Sequence, residues 1–309
     1  MGSTEAGNKQ KAISEILVLI GLCLIGMLVF SGMAIFVGAL ITGADASELS
    51  GIQGLEEFGS RGRMAMLVMQ GLIALGSFVL FPGLIRFLTP LSAEPVSIRP
   101  NATILILVTG LSVLMLPVNS WLAAWNQSLQ LPEFLNGFQT WAFQKEMEME
   151  KLTMFLVQFS SLTESLLGFL VIAILAGITE EYFFRKLLQP RISTLFGNQH
   201  IGIWLTAFIF SAIHIQFYGL IPRMALGALF GYYYYWTGNI RLPILAHILN
   251  NAITLGGLVL YQQKVSSLNV EDPSQIPWFI GAISAGVVWS ISSMVQDEAD
   301  KIRSRKQGI

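Results

Sequence analysis

LLGFLVIAILAGITEEYFFRKLLQP, residues 166–190, decides what kind of molecule this is. Thirteen residues, 166–178, contain nothing polar, and then Thr179, Glu180, Glu181 and Arg185 follow within the same helical stretch. A run of about 20 mostly apolar residues is long enough to cross a bilayer core. Ionisable groups in such a run are costly and therefore mark function by default. Glu181 and Arg185 are four apart, on one helix face, with the acid N-terminal to the base, so they can neutralise each other. Glu180 is turned by about 100° from Glu181 and has no such local partner.

Seven further apolar runs surround this one, at about 13–42, 64–88, 103–124, 200–218, 221–237, 243–261 and 277–296. Of 309 residues, 53% are hydrophobic and 12% charged, and the mean hydropathy is +0.63. A soluble domain carries about 25% charged residues, so an ordinary soluble enzyme is excluded. The net charge of −1 and the lack of a basic stripe exclude nucleic-acid binding. One cysteine, Cys23, gives neither a disulfide framework nor a thiolate zinc cluster. The expected fold is all-α, a single polytopic membrane domain over 1–309 with about eight transmembrane helices.

Basic residues orient such a bundle. With the N-terminus inside, twelve of the eighteen Lys and Arg fall on the cytoplasmic side, among them Lys9, Lys11, Arg86, Arg191, Lys301 and Arg303. Both ends are therefore expected in the cytoplasm. Glu15, at the start of the first run, is expected to be hydrated at the interface. Residues 133–164 mix Phe138, Trp141, Leu152 and Phe155 with charges, which predicts one or two amphipathic helices on the outer surface. The Tyr232 to Trp236 cluster reads as an interfacial aromatic belt. Gly227 and Gly231 mark a close helix contact.

Two of the three histidines also fall in apolar runs. FSAIH places Phe210 and His214 four apart, and HILNN does the same for His247 and Asn251, with Asn250 pointing elsewhere. His200 reads as a surface residue. Taken singly, a buried histidine is usually core and an asparagine in a span is usually helix–helix glue. Two carboxylates, two histidines and an asparagine on three of the last five runs are hard to explain as separate packing events. The set suffices for amide hydrolysis: Glu180 as base, His214 holding water, and His247 with Asn251 donating to an oxyanion. The same atoms could line a proton pathway, so chemistry alone leaves a peptidase and a proton-coupled carrier at parity.

Order and spacing add a resemblance. EEYFFR at 180–185, FSAIH at 210–214 and HILNN at 247–251 resemble the EExxxR, FxxxH and HxxxN signatures of the CPBP family, the CAAX prenyl protease and bacteriocin-processing (Abi) intramembrane peptidases. It covers about residues 165–261. The resemblance implies an endopeptidase acting on a membrane-associated protein or peptide, with Glu180, His214, His247 and Asn251 catalytic. Glu181 and Arg185 would be the supporting pair, and Phe210 a packing residue beside the site. A metal-free glutamate mechanism is the expectation. The alternative is a zinc ion on Glu180, His214 and His247, a donor set that leaves a position open for water, although no HExxH is present. A membrane adaptor or immunity-type protein that keeps the motifs but only binds is the other alternative. Counted along straight helices, His247 lies about 6–8 Å and His214 about 20 Å from the cytoplasmic ends. The site is expected to assemble only if helices tilt or the fifth run starts early, with its cavity opening toward the cytoplasmic leaflet.

Overall fold

The computed structural model describes residues 2–45, 47–50, 52–89, 97–270 and 272–307. Nine main helices are used below: α1 (Gly2–Thr42), α2 (Gly59–Leu88), α3 (Ala102–Ser128), α4 (Asn136–Leu156), α5 (Leu162–Phe196), α6 (Gln199–Ala212), α7 (Leu220–Thr237), α8 (Arg241–Gln262) and α9 (Trp278–Gln307). No strand occurs among the described residues. The protein is an all-α polytopic membrane bundle.

Among the described residues six helices, rather than about eight, are long and apolar enough to cross a membrane: α1, α2, α3, α5, α8 and α9. The fifth and sixth expected spans are α6 and α7, of 14 and 18 residues. At 1.5 Å per residue α6 is about 21 Å long, too short for a core about 30 Å thick. These two helices instead form a hairpin, α7 largely covered and α6 leaving Ile201, Trp204 and Phe208 exposed on one side.

Local chemistry sets the helix ends. Asn101 starts α3 by accepting from Ile104 N–H, Ser161 starts α5 by accepting from Glu164 N–H, and Asn198 starts α6 by accepting from His200 and Ile201 N–H. Gly197 and Gly238 end α5 and α7 at φ of 65° and 61°, a region that costs a side chain dearly.

Two apolar clusters flank α5. One joins Leu19 of α1, Ile85 of α2, Phe183 and Phe184 of α5, and Phe210 of α6. The other joins Ile104 and Val108 of α3, Phe230 and Tyr233 of α7, Leu242 and Ala246 of α8, and Val295 of α9. Phe210 and Phe230, one from each cluster, are the walls between which the candidate site lies. Tyr233 and Tyr234 are buried, so the aromatic run 232–236 is half core rather than a pure interface belt. Its outer member Tyr232 stacks near Trp236, and its hydroxyl lies 2.9 Å from Nδ1 of exposed His200. The predicted close contact is present: a Cβ at Gly227 would stand 3.1 Å from the Phe210 ring and 3.3 Å from Ala207.

Buried ion pairs tie α5 to the first helices. Glu15 is not hydrated; at 1% exposure it lies 3.0 Å from the equally buried Arg191, because α1 runs on past it to Gly2 and packs on the end of α5. At the other end of α5, Glu164 is fully buried and pairs with Arg63 of α2 at 3.4 Å.

These ties define two faces. The Gly2 end of α1 and the Gln307 end of α9 lie on the Arg191 side: Asn101 Nδ2 donates to Glu298, and Arg303 donates to Trp236 carbonyl oxygen. The opposite face carries α4, the 129–161 connection and the loop before α9. There Asn126 donates to Phe217 carbonyl oxygen and accepts from Ile221 N–H, fixing the turn between α6 and α7.

Candidate active site

A cavity of about 940 Å³ opens between α2, α3, α4, α5, α7 and α8. Glu180, Phe210, His214, His247 and Asn251 all line it, so residues up to 71 positions apart in sequence share one space. Its far end is lined by Glu146 and Glu150 of α4 and by Asn269, Asp272 and Pro273. Those belong to the face opposite Gly2 and Gln307. The expectation that the cavity opens on the same side as both chain ends is therefore corrected. α4 is a single amphipathic helix and forms part of the cavity wall.

The deep end is a buried charge cluster. Glu181 and Arg185 have no exposure and pair at 2.8 Å through Nε. The other Glu181 oxygen lies 2.9 Å from His247 Nδ1. Because a carboxylate only accepts, Nδ1 carries the proton in that contact, which turns Nε2 toward Glu180 at 3.8 Å. Glu180 itself makes no hydrogen bond among the described residues. Gly177 is what allows this geometry. A Cβ there would stand 3.1 Å from the Ile248 backbone nitrogen, so α5 and α8 touch one turn before the two carboxylates. Nothing in the apolar run 166–178 marks this glycine out in the sequence.

The helix that carries the cluster is not a plain α-helix. Residues Phe169–Leu175 and Tyr182–Leu188 are wound as π-helix, on either side of the α-helical Ala176–Glu181. Such widening recurs at functional sites because it frees backbone groups and re-aims side chains. Here Asn251 Nδ2 donates to the carbonyl oxygen of Ile172, inside the first widened stretch, at 3.0 Å. One amide hydrogen of Asn251 is thereby committed to positioning and one is left for the cavity. Asn250 does not point elsewhere; it lines the same cavity, its Nδ2 3.4 Å from Asn251 Oδ1.

His214 is not on a helix. α6 stops at Ala212, and His214 follows in a turn that includes Ile215 at φ 55°. Its Nδ1 lies 2.8 Å from the Phe210 carbonyl oxygen, which its own backbone N–H leaves free by bonding Ser211 instead. The carbonyl can only accept, so the proton is on Nδ1 and Nε2 presents a lone pair. The Phe210 ring meets both imidazoles edge to face, 5.2 Å from His214 and 5.9 Å from His247. Phe230 stacks on the other face of His247 at 5.3 Å. Both histidines nevertheless line the one cavity. Among the described residues no three His, Cys, Asp or Glu side chains are gathered as metal ligands.

Residues 162–253 match the family model for type II CAAX prenyl endopeptidases, Rce1-like. This stretch is similar to the Rce1-like family. It contains all three motifs and agrees with the CPBP resemblance. The chain is 33% identical over 86 residues to "Uncharacterized protein YpbD" of Bacillus subtilis, covering 26% of this chain and 41% of that protein. It is 27% identical over 96 residues to "Membrane-embedded CAAX protease MroQ" of Staphylococcus aureus, covering 29% of this chain and 37% of that one. The chain thus spans less than half the length of either relative. No solved structure matches it. The Rce1-like segment supplies Glu180, Glu181, Arg185, Phe210, His214, His247 and Asn251. Gln70, Asn119 and Glu146, which complete the cavity, come from outside it.

Proposed function

We propose that this protein is an intramembrane endopeptidase that hydrolyses a peptide bond in a membrane-associated protein or peptide, with Glu180 as the base that activates water. The observation that carries the reading is the contrast within one turn of α5. Glu181 is fully committed to Arg185 and His247, while Glu180 faces the cavity with no hydrogen bond among the described residues. The similarity of residues 162–253 to a membrane peptidase family supports it.

In this reading Glu180 takes a proton from a water as its oxygen bonds the substrate carbonyl carbon. Nε2 of His214 accepts the water's other hydrogen and orients it. The cluster of Glu180, Glu181 and Arg185 carries one uncompensated negative charge, and a proton on His247 balances it. The imidazolium then donates through Nε2 to the oxyanion, with the free amide hydrogen of Asn251 beside it. When the C–N bond breaks, Glu180 returns the proton it took to the leaving amine. No step is routed through a metal. Glu181, Arg185 and Phe210 hold the imidazoles in place. The excess of basic residues beside the Gly2 and Gln307 ends supports placing both in the cytoplasm.

The test is cleavage of a peptide library by protein in lipid nanodiscs, read by mass spectrometry with and without a chelator. Cleavage that survives chelation and falls about 10²–10⁴-fold in Glu180→Gln and His214→Ala is the expected result. Chelator-sensitive cleavage restored by zinc would replace it with a metal mechanism. Equal cleavage by all three proteins would overturn the assigned site.

A further inference from the structure

The cavity wall has a chemistry that neither water activation nor charge balance uses. Besides Asn251 it presents six carboxamides: Gln70 of α2, Asn119 and Gln127 of α3, Gln216 of the α6–α7 turn, Asn250 of α8 and Asn269 of the following loop. They come from five separate elements, so helical periodicity on one face does not explain them. A carboxamide offers one acceptor and one donor group on a neutral plane, the same pair a peptide unit offers.

Two of these groups are incomplete. Asn119 Oδ1 and Asn250 Oδ1 are shielded from solvent and have no hydrogen-bond partner among the described residues. Shielded polar atoms are nearly always paired, and exceptions call for an explanation. The terminal torsion of asparagine is broad, so a rotation turns each oxygen into the cavity. A hydrocarbon chain gives such an oxygen nothing, and an anion repels it. An N–H donor completes it.

The α5 wall of the cavity runs from Val171 through Ile172 and Ala176 to Glu180. Nine steps of 1.5 Å make a depth of about 13 Å. An extended chain advances about 3.3 Å per residue, so about four residues of unfolded polypeptide reach from the mouth region to the base.

We infer that the cavity binds its substrate as an extended polypeptide held through backbone N–H groups, with Asn119 and Asn250 as the residues that accept from it. This rests on the peptidase reading and adds the form in which the substrate is recognised. Asn119 lies outside the Rce1-like segment, so substrate holding is shared with the part of the chain that carries no family motif. Backbone recognition also entails tolerance of side chains, because no deep specificity pocket is required.

The experiment measures binding rather than cleavage, using the Glu180→Gln protein in nanodiscs. The probes are a fluorescent, unstructured ten-residue peptide of Ala, Gly and Ser, the same peptide with four successive backbone nitrogens methylated, and a C16 fatty alcohol as competitor. The parent peptide is expected to bind saturably and the methylated one about tenfold or more weakly, the loss expected for one or more hydrogen bonds. Asn119→Ala and Asn250→Ala should each weaken the parent by about threefold to tenfold and leave the methylated peptide unchanged. The methylation comparison needs no further substitution, so it stands even if either variant folds poorly. Equal binding of both peptides, no binding of the parent at millimolar concentration, or displacement of the parent by the alcohol would overturn the inference. Glu180-dependent cleavage alongside any of those results would leave the peptidase reading standing. Methylation-sensitive binding without cleavage by the unsubstituted protein would sink the peptidase reading alone.

Discussion

Glu164 and Glu180 are the same residue type on the same helix, and the bundle treats them in opposite ways. Glu164 accepts from Ser60 Oγ, from Ser160 N–H at 2.7 Å and Oγ at 3.1 Å, and from Arg63 at 3.4 Å. Both oxygens have donors, one on Oε1 and three on Oε2, and the result is a rivet between α2 and α5. Glu180 accepts from nothing among the described residues and faces 940 Å³ of space. A carboxylate saturated with donors is stabilised as an anion and is a poor base; one left open toward a cavity is free to take a proton. Burial alone does not separate the two roles. What separates them is whether the neighbours fill the acceptor sites.

That contrast can be broken in graded steps. The largest effect is expected from Glu180→Gln, which should lower cleavage about 10²–10⁴-fold with an unfolding midpoint near that of the unsubstituted protein, measured by calorimetry in detergent. Glu181→Gln should do the reverse first. It leaves Arg185 buried without its carboxylate, and removing one member of a buried pair costs about 3–5 kcal/mol, which denaturant titration would read. Gly177→Val pushes α8 away from the two carboxylates. A displacement near 1 Å is enough for about a 10²-fold loss of activity, with the charge cluster chemically intact. Glu164→Gln should cost about 1–3 kcal/mol of stability while the folded fraction cleaves at an unchanged rate; a direct fall in kcat would show that the rivet also tunes the site.

The smallest effect concerns Glu146, at the far end of the cavity. Burial pushes its carboxyl above the ordinary range, against the donors Tyr218 N–H and Gln216 and the charge of Arg223; Glu150, beside it, pushes the same way as burial. The folded state therefore holds this proton more tightly than the unfolded one. Stability should decline as pH rises from the ordinary carboxylate value through the raised one, and Glu146→Gln should flatten that decline. An unchanged slope in Glu146→Gln would show that α4 docks without reference to this group. Its aromatic contacts, Phe138 with Phe217 at 4.8 Å and Phe143 with Tyr218 at 6.4 Å, would then be what holds it.

The spans were legible because hydropathy reports length and apolarity, and the three motifs were legible because charge in such runs is rare. α6 and α7 misled because an apolar run reads alike whether it packs on protein or crosses lipid; for α6 it is the length of 14 residues, cut short by the turn at His214, that tells them apart. Glu15 misled because its partner Arg191 is 176 residues away and no local spacing announces it. The two π-helical stretches and the contact at Gly177 leave no mark in periodicity, since each is a response to the neighbouring helix. The carboxamide lining was invisible for a similar reason: its members are scattered over five elements and meet only in the folded bundle.

The separation of the cavity mouth from both chain ends gives the bundle a vectorial character. One accessibility label near Gly2 or Gln307 fixes which compartment the cavity mouth faces, because that compartment is the other one. On the proposed placement of both ends in the cytoplasm, the cavity mouth would face outward.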